Sequence, residues 1–324
     1  MRVLSKMAPV GLALVVMAGC DSESRAPTSA PDAVTPALQS SLVPAGMQLI
    51  RPRIDLSNAL DLRNIIPPVP LALFVPAPPR NIGPGSPILI TIPNEGTFGC
   101  SANFVWTSGG KRYLGAAGHC FVPATLSATH GPAADYDASG VSVEVCVDGC
   151  LSNFDGNSLT GTWMSLGSVA YARQSTAGVD VGHDFGVVEI PQALWNRIRT
   201  TLPVWGGPTG VQTLELGQLA CHYGNGLAFG EVFLTKARVG LGGGSDDISW
   251  SGDLAAGPGD SGSGVVGCTP SGPGLSGTGA VGILTHLGVA LDETTLEHGF
   301  VLGTTIARAI EMGREAGLEL SLMF

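Results

Sequence analysis

The chain has 324 residues, enough for one large domain or two smaller ones. Only 13% of them are charged and the formal net charge is −10, so there is no basic surface to spare for a nucleic-acid backbone. The 47 glycines, spread among short apolar runs, favour an all-β protein over a helical one.

The first segment, MRVLSKMAPVGLALVVMAGC, stands apart from any fold. Arg2 and Lys6 make a basic start, and the apolar run Met7 to Met17 is too short to span a bilayer comfortably. Ala18 and Gly19 supply small residues for cleavage before Cys20. The pattern resembles a bacterial lipoprotein signal, with residues 1–19 removed and Cys20 lipidated. It implies export, with the chain held to a cell-envelope membrane through the lipid alone. The alternative is an ordinary signal peptide with an incidental cysteine, since Met17 stands where Leu is the usual choice.

Six cysteines remain beyond Cys20: Cys100, Cys120, Cys146, Cys150, Cys221 and Cys268. An even set in an exported chain reads as disulfides. Zinc would prefer tight Cys-x-x-Cys pairs, which are absent, so no metal or other cofactor is expected.

Residues 20–85 follow a different grammar. DSESRAPTSAPDAVTPALQSS has few large apolar residues and is expected to be disordered. IIPPVPLALFVPAPPR is dense in proline and suits an extended strap or a piece of propeptide, not a helix or a central strand. The region reads as a tether.

From about Ile88 the chain breaks into strand candidates rich in β-branched and aromatic residues: ILITI, FVW, RYLGAA, VSVEVCV, VAYA, FGVVEI, GEVFL, GVVG and AVGIL. The exception is TTIARAIEMGREAGLEL, where Ile306, Ala309 and Ile310 recur at helical spacing. The expected architecture over residues 86–324 is all-β. It comprises two packed antiparallel barrels, about 86–200 and about 205–303, closed by a helix over about 304–317.

Three stretches inside this domain carry chemistry. TFGCSANFVWTSGGKRYLGAAGHC ends in His119, set between small residues and Cys120. A bridge from Cys100 to Cys120 would clip this hairpin, worth about 3 kcal/mol of chain entropy. Taken alone, His119 reads equally well as a surface histidine in a disulfide loop. HDFGVVEI places Asp184 at the head of an apolar strand. A carboxylate buried there needs a partner, although a strand-capping aspartate is the plain reading. Asp180 is the nearest rival, but no apolar strand follows it directly. GPGDSGSG presents Ser261 on a glycine-rich turn that could equally be a linker.

Ala116-Ala117-Gly118-His119-Cys120, Asp184-Phe185-Gly186-Val187-Val188 and Gly259-Asp260-Ser261-Gly262 occur in the order His, Asp, Ser. In these motifs the chain resembles the chymotrypsin-like serine peptidases, especially their bacterial secreted branch, over roughly residues 98–324. The resemblance implies that His119 is a general base, Asp184 its orienting acid and Ser261 the nucleophile. It implies an oxyanion hole from the amides of Gly259 and Ser261, with Gly257, Gly259 and Gly262 letting the backbone bend. It pairs Cys100 with Cys120 and Cys221 with Cys268, and makes Thr285–Leu287 an edge for substrate backbone. Cys146 and Cys150 look like a hairpin tip pinned by its own bridge.

Aligned on the serine motif, the resemblance implies a pocket floor near Ala255, with Ala256 beside it and Leu287 narrowing its wall. Without an acid there, cleavage after small to medium apolar residues is expected, on protein or peptide substrates, by a monomer. The family's Ile-Val-Gly-Gly start is missing; Asn81-Ile82-Gly83-Pro84-Gly85 after Arg80 is a faint echo. The chain therefore either needs no activating cut or is cut near Arg80 to give Asp260 a partner. Two rivals stand beside this reading. Ser261, Asp292 and His298 follow the α/β-hydrolase order, but without the G-x-S-x-G elbow. The other is a catalytically inactive binding module of the same fold.

Overall fold

A computed structural model describes residues 47–50, 54–55, 81–123, 128–131, 136–148, 161–174, 181–226, 236–272, 274–290 and 300–324. The signal segment with Cys20, and Arg80, Cys150, Asp180, Asp292 and His298, lie outside them.

The described elements are strands β1 (Met47–Ile50), β2 (Ile54–Asp55), β3 (Pro87–Ile92), β4 (Gly96–Ser101), β5 (Val105–Ser108), β6 (Lys111–Ala116), β7 (Ala128–His130), β8 (Ser142–Asp148) and β9 (Thr162–Ser165). They continue with β10 (Val169–Gln174), β11 (Asp184–Glu189), β12 (Leu219–Tyr223), β13 (Ala237–Ser245), β14 (Ser249–Asp253), β15 (Gly264–Ser271), β16 (Gly274–Ala290) and β17 (Phe300–Thr305). Helix α1 (Ile306–Glu315) and β18 (Ser321–Leu322) follow. The protein is thus mostly β, with antiparallel sheets and a C-terminal helix, as its turn-punctuated strand pattern predicts.

The N-terminal half is built from two sheets, in the orders β2-β4-β3-β8-β9 and β18-β5-β6-β11-β10-β7. Alternation explains which side of β3 faces inward: Ile88, Ile90 and Ile92 are buried while Thr91 is exposed. Those isoleucines share one core with Val105, Leu114, Val143, Val169 and Val188, so both sheets enclose the same interior. The segment between His119 and Asp184 supplies β7, β8, β9 and β10 to these sheets.

The C-terminal half runs β16-β15-β12-β13-β14-β17, and β17 pairs again with β16, closing a six-stranded ring. Closure pairs the ring strands on both sides over part of their length, and the far end of β16, Leu287–Ala290, keeps an edge that β1 occupies. Trp250, Leu214, Leu254, Val265, Leu284 and Val301 fill its interior. A third cluster joins the halves, with Phe104, Trp106, Phe185 and Val187 from one side and Val266, Ala280 and Ile283 from the other. Ile306, Ala309 and Met312 of α1 lie in this same cluster. Thr305 caps the helix, its hydroxyl accepting the Arg308 N–H at 3.2 Å.

Two disulfides are present among the described residues, Cys100–Cys120 and Cys221–Cys268. Cys146 is also disulfide-bonded, with its partner outside the described residues. Within the stretch read as a tether, β1 pairs with β16 and β2 pairs with β4.

Candidate active site

His119 sits in a 3-10 turn, Gly118–Cys120, just beyond β6. The small residues before it have a steric cause: a side chain at Gly118 would run into the Arg173 carbonyl. The bridge from Cys120 to Cys100 ties this turn to β4. Asp184 is the first residue of β11. Its N–H donates to the Thr304 hydroxyl of β17 at 3.3 Å, and that hydroxyl lies 3.0 Å from the Asp184 carbonyl and 3.1 Å from that of Val181. Ser261 stands on a turn between Gly259 (φ +100°) and Gly262 (φ +89°), a left-handed region that favours glycine. The turn is anchored on both sides. Ser101 N–H donates to the Ser261 carbonyl at 2.8 Å, and Gly262 N–H donates to the Leu284 carbonyl at 2.7 Å.

These three side chains form one hydrogen-bonded line. Asp184 Oδ2 lies 2.7 Å from His119 Nδ1, and His119 Nε2 lies 2.8 Å from Ser261 Oγ. Asp184 Oδ1 also accepts the His119 backbone N–H at 2.9 Å. All three residues are buried. An ionised carboxylate can only accept, so the proton on a neutral His119 belongs on Nδ1. Nε2 then carries a lone pair facing the Ser261 hydroxyl, an arrangement able to remove that proton.

The amides around Ser261 divide into two groups. The N–H groups of Asp260, Gly262 and Ser263 donate to the carbonyls of Gly257, Leu284 and Asp260. Among the described residues, the N–H groups of Gly259 and Ser261 donate to no acceptor. Two uncommitted donors beside a hydroxyl suit an oxygen that gains negative charge.

Beneath the turn lies a polar layer. Asp260 is fully buried and accepts both Arg238 guanidinium nitrogens at 2.6 Å. It also accepts the N–H groups of Gly226 at 2.8 Å and Gly257 at 2.9 Å. Burial pushes this carboxyl up, but the Arg238 charge and its hydrogen bonds outweigh that and hold it below the usual range. His222 is buried against the same pair. Its Nε2 lies 3.0 Å from the Ala255 carbonyl and its Nδ1 3.3 Å from Ser263 Oγ. Desolvation, aided by Arg238, lowers its pKa to about 4, so it is neutral at neutral pH. A carbonyl only accepts; Nε2 therefore carries the proton, and Nδ1 accepts from Ser263.

Of the residues expected to meet substrate, Ala255 is exposed and its carbonyl is held by His222 and, at 3.3 Å, by Arg238. Ala256 is half-buried. Thr285 is buried with its hydroxyl 2.7 Å from His286 Nδ1, and the His286 ring centre is 6.5 Å from that of His119. Leu287 follows, half-buried. The structure thus joins Thr285 to His286, the ring that neighbours His119, packs Leu287 against the interior of the C-terminal ring, and links Ala255 through His222 to the Ser261 turn. Among the described residues, no group of three or more His, Cys, Asp or Glu is placed to hold a metal ion.

Sequence reasoning missed Arg238, His222, Thr304 and His286. Each acts through space from a different strand, with no local motif. Arg238 alone leaves a trace, as a base inside the short apolar run ARVGL opposite an acid that lacked a partner.

No family model and no curated protein matches the sequence. Solved structures do match by shape. Protease A of Thermobifida fusca is 19% identical with a TM-score of 0.43, over 75% of this chain and 99% of that one. A glutamic acid specific serine protease is 17% identical with a TM-score of 0.41, over 73% and 98%. Cellulomonas bogoriensis chymotrypsin is 14% identical with a TM-score of 0.41, over 75% and 99%.

Proposed function

We propose that this chain is an exported serine endopeptidase of the chymotrypsin-like kind, working through an acyl-enzyme. The observation that carries the reading is the line Asp184–His119–Ser261 beside two uncommitted amides. Ser261 Oγ attacks the scissile carbonyl while His119 Nε2 takes its proton. Asp184 stabilises the imidazolium that results, and the amides of Gly259 and Ser261 receive the oxyanion. His119 then passes the proton to the leaving amine. Water, activated by the same imidazole, attacks the acyl ester and releases the product.

The pairing of Asp260 with Arg238 supports a site that forms without an activating cut. Ile82, which follows the faint cleavage signal, donates its N–H to the Arg197 carbonyl, far in sequence from Asp260. The paired cysteines support an oxidising compartment. Lipid attachment at Cys20, residues 20–85 as a tether, a monomeric state and cleavage after small to medium apolar residues near Ala255 belong to the same proposal.

The test is covalent labelling of the full chain with a fluorophosphonate, for wild type and Ser261→Ala. Labelling that disappears in the variant is expected. No labelling of folded protein, either as wild type or with the β1 and β2 pairings broken, would sink the catalytic reading in favour of an inactive binding module.

A further inference from the structure

The two strands upstream of the domain lie on the edges that flank His119 and Ser261. β1 runs antiparallel to β16, with Met47 opposite Ala290, Gln48 opposite Val289, Leu49 opposite Gly288 and Ile50 opposite Leu287. Its direction therefore carries the chain toward His286, whose ring neighbours that of His119. β2 pairs antiparallel with β4, Ile54 opposite Gly99 and Asp55 opposite Phe98. Gly99 adjoins Cys100, which is bridged to the residue after His119. Two residues beyond Gly99, Ser101 donates its N–H to the Ser261 carbonyl. Ile50 and Ile54 are four residues apart, so no more than about 14 Å of chain joins them. One continuous piece of chain thus leaves the edge on the His286 side and reaches the edge on the Cys100 side.

We propose that β1 and β2 are an intramolecular competitor of substrate: together they hold the two strand edges to which an extended peptide adds. This inference rests on the peptidase reading above. Strand addition takes its affinity from main-chain hydrogen bonds, so whichever chain is paired to an edge excludes another. Strands of four and two residues pair weakly by themselves. Tethering makes up the difference, because an intramolecular strand acts at a high effective concentration. The outcome is a site that is assembled but occupied, opened by substrate of higher affinity or by removal of residues 47–55.

The experiment uses the full chain as wild type, as Leu49→Pro/Ile50→Pro, and separately as Ile54→Pro. Proline removes a backbone donor from each pairing while leaving the domain sequence intact. Hydrolysis of a fluorescence-quenched nonapeptide with an Ala-Val core is measured, with fluorophosphonate labelling of Ser261 run in parallel. KM should fall roughly tenfold or more in either variant, with kcat within about twofold. A synthetic peptide of residues 47–55, added to a variant, should raise KM again. Variants that label normally but keep the wild-type KM would overturn the competitor and leave the peptidase reading standing. Folded wild type and variants that neither label nor cleave would overturn both.

Discussion

The proton on His119 Nδ1 is held by Asp184 Oδ2, at 2.7 Å. Asp184→Asn keeps the size and can turn its amide NH2 toward Nδ1. The imidazole then prefers the other tautomer and presents a proton, not a lone pair, to Ser261. For Asp184→Asn, kcat should drop by about 10^4 with KM little changed, read from steady-state kinetics. Arg238 has a different vulnerability. In Arg238→Met the Asp260 carboxylate stays buried without its countercharge, which should lower stability by about 3–5 kcal/mol in urea unfolding. Asp260→Asn combined with Arg238→Met should recover part of that loss. His119, Asp184 and Ser261 were legible through the resemblance that their three motifs carry in the order His, Asp, Ser; singly, each motif also fits a plainer role. Arg238 and His222 answer to partners on other strands, and pairing across strands leaves no trace in neighbouring residues.

At the level of elements, β11 explains why its sequence reads as an unbroken apolar run. Phe185 and Val187 enter the cluster between the halves, while Val188 enters the N-terminal core. Both faces are covered, so no polar alternation survives. Phe185 also sits 5.1 Å from the Trp106 ring and 6.2 Å from that of Tyr171, in tilted contacts. Phe185→Ala should cost about 3–5 kcal/mol by chemical denaturation, and the strand that it loosens is the one that begins at Asp184. The apolar strands β3, β5, β6, β8, β10, β11, β15 and β16 were readable in this way, and so was the helix, whose N-cap falls at Thr305; GEVFL lies outside the described residues, and the polar or glycine-rich β4, β9, β13 and β14 show no such run. β1 and β2 were not. MQLI and ID are too short to show a period, and they stand among prolines. What makes them strands is the edge that they meet.

Over the whole molecule, the polar layer under the Ser261 turn ties stability to pH. The charged groups facing His222 are Arg238 and Asp260; Ser263 and the Ala255 carbonyl complete its surroundings. Its folded pKa of about 4 lies below the ordinary imidazole value of about 6.5, so the unfolded chain binds the proton more readily between these two. Stability is therefore fully present above about pH 6.5 and is lost as pH falls toward 4, by roughly 3 kcal/mol. Asp260, whose carboxyl is depressed, adds a loss of the same sign at still lower pH. Thermal unfolding of wild type and His222→Gln across pH 4–7 checks this; the slope over that window should flatten in the variant.

The sheet that carries His119 and Asp184 is completed from far along the chain. Ser321 and Leu322 pair with Thr107 and Trp106, and the Met323 N–H donates to the Val105 carbonyl. Until those residues are made, β5 presents an open edge beside a buried tryptophan. An open edge invites other strands, so a chain cut short before Ser321 is marked for aggregation or digestion. β18 thereby ties the segment after α1 to the sheet on which Asp184 begins its strand, so that loosening Ser321–Met323 exposes the β5 edge.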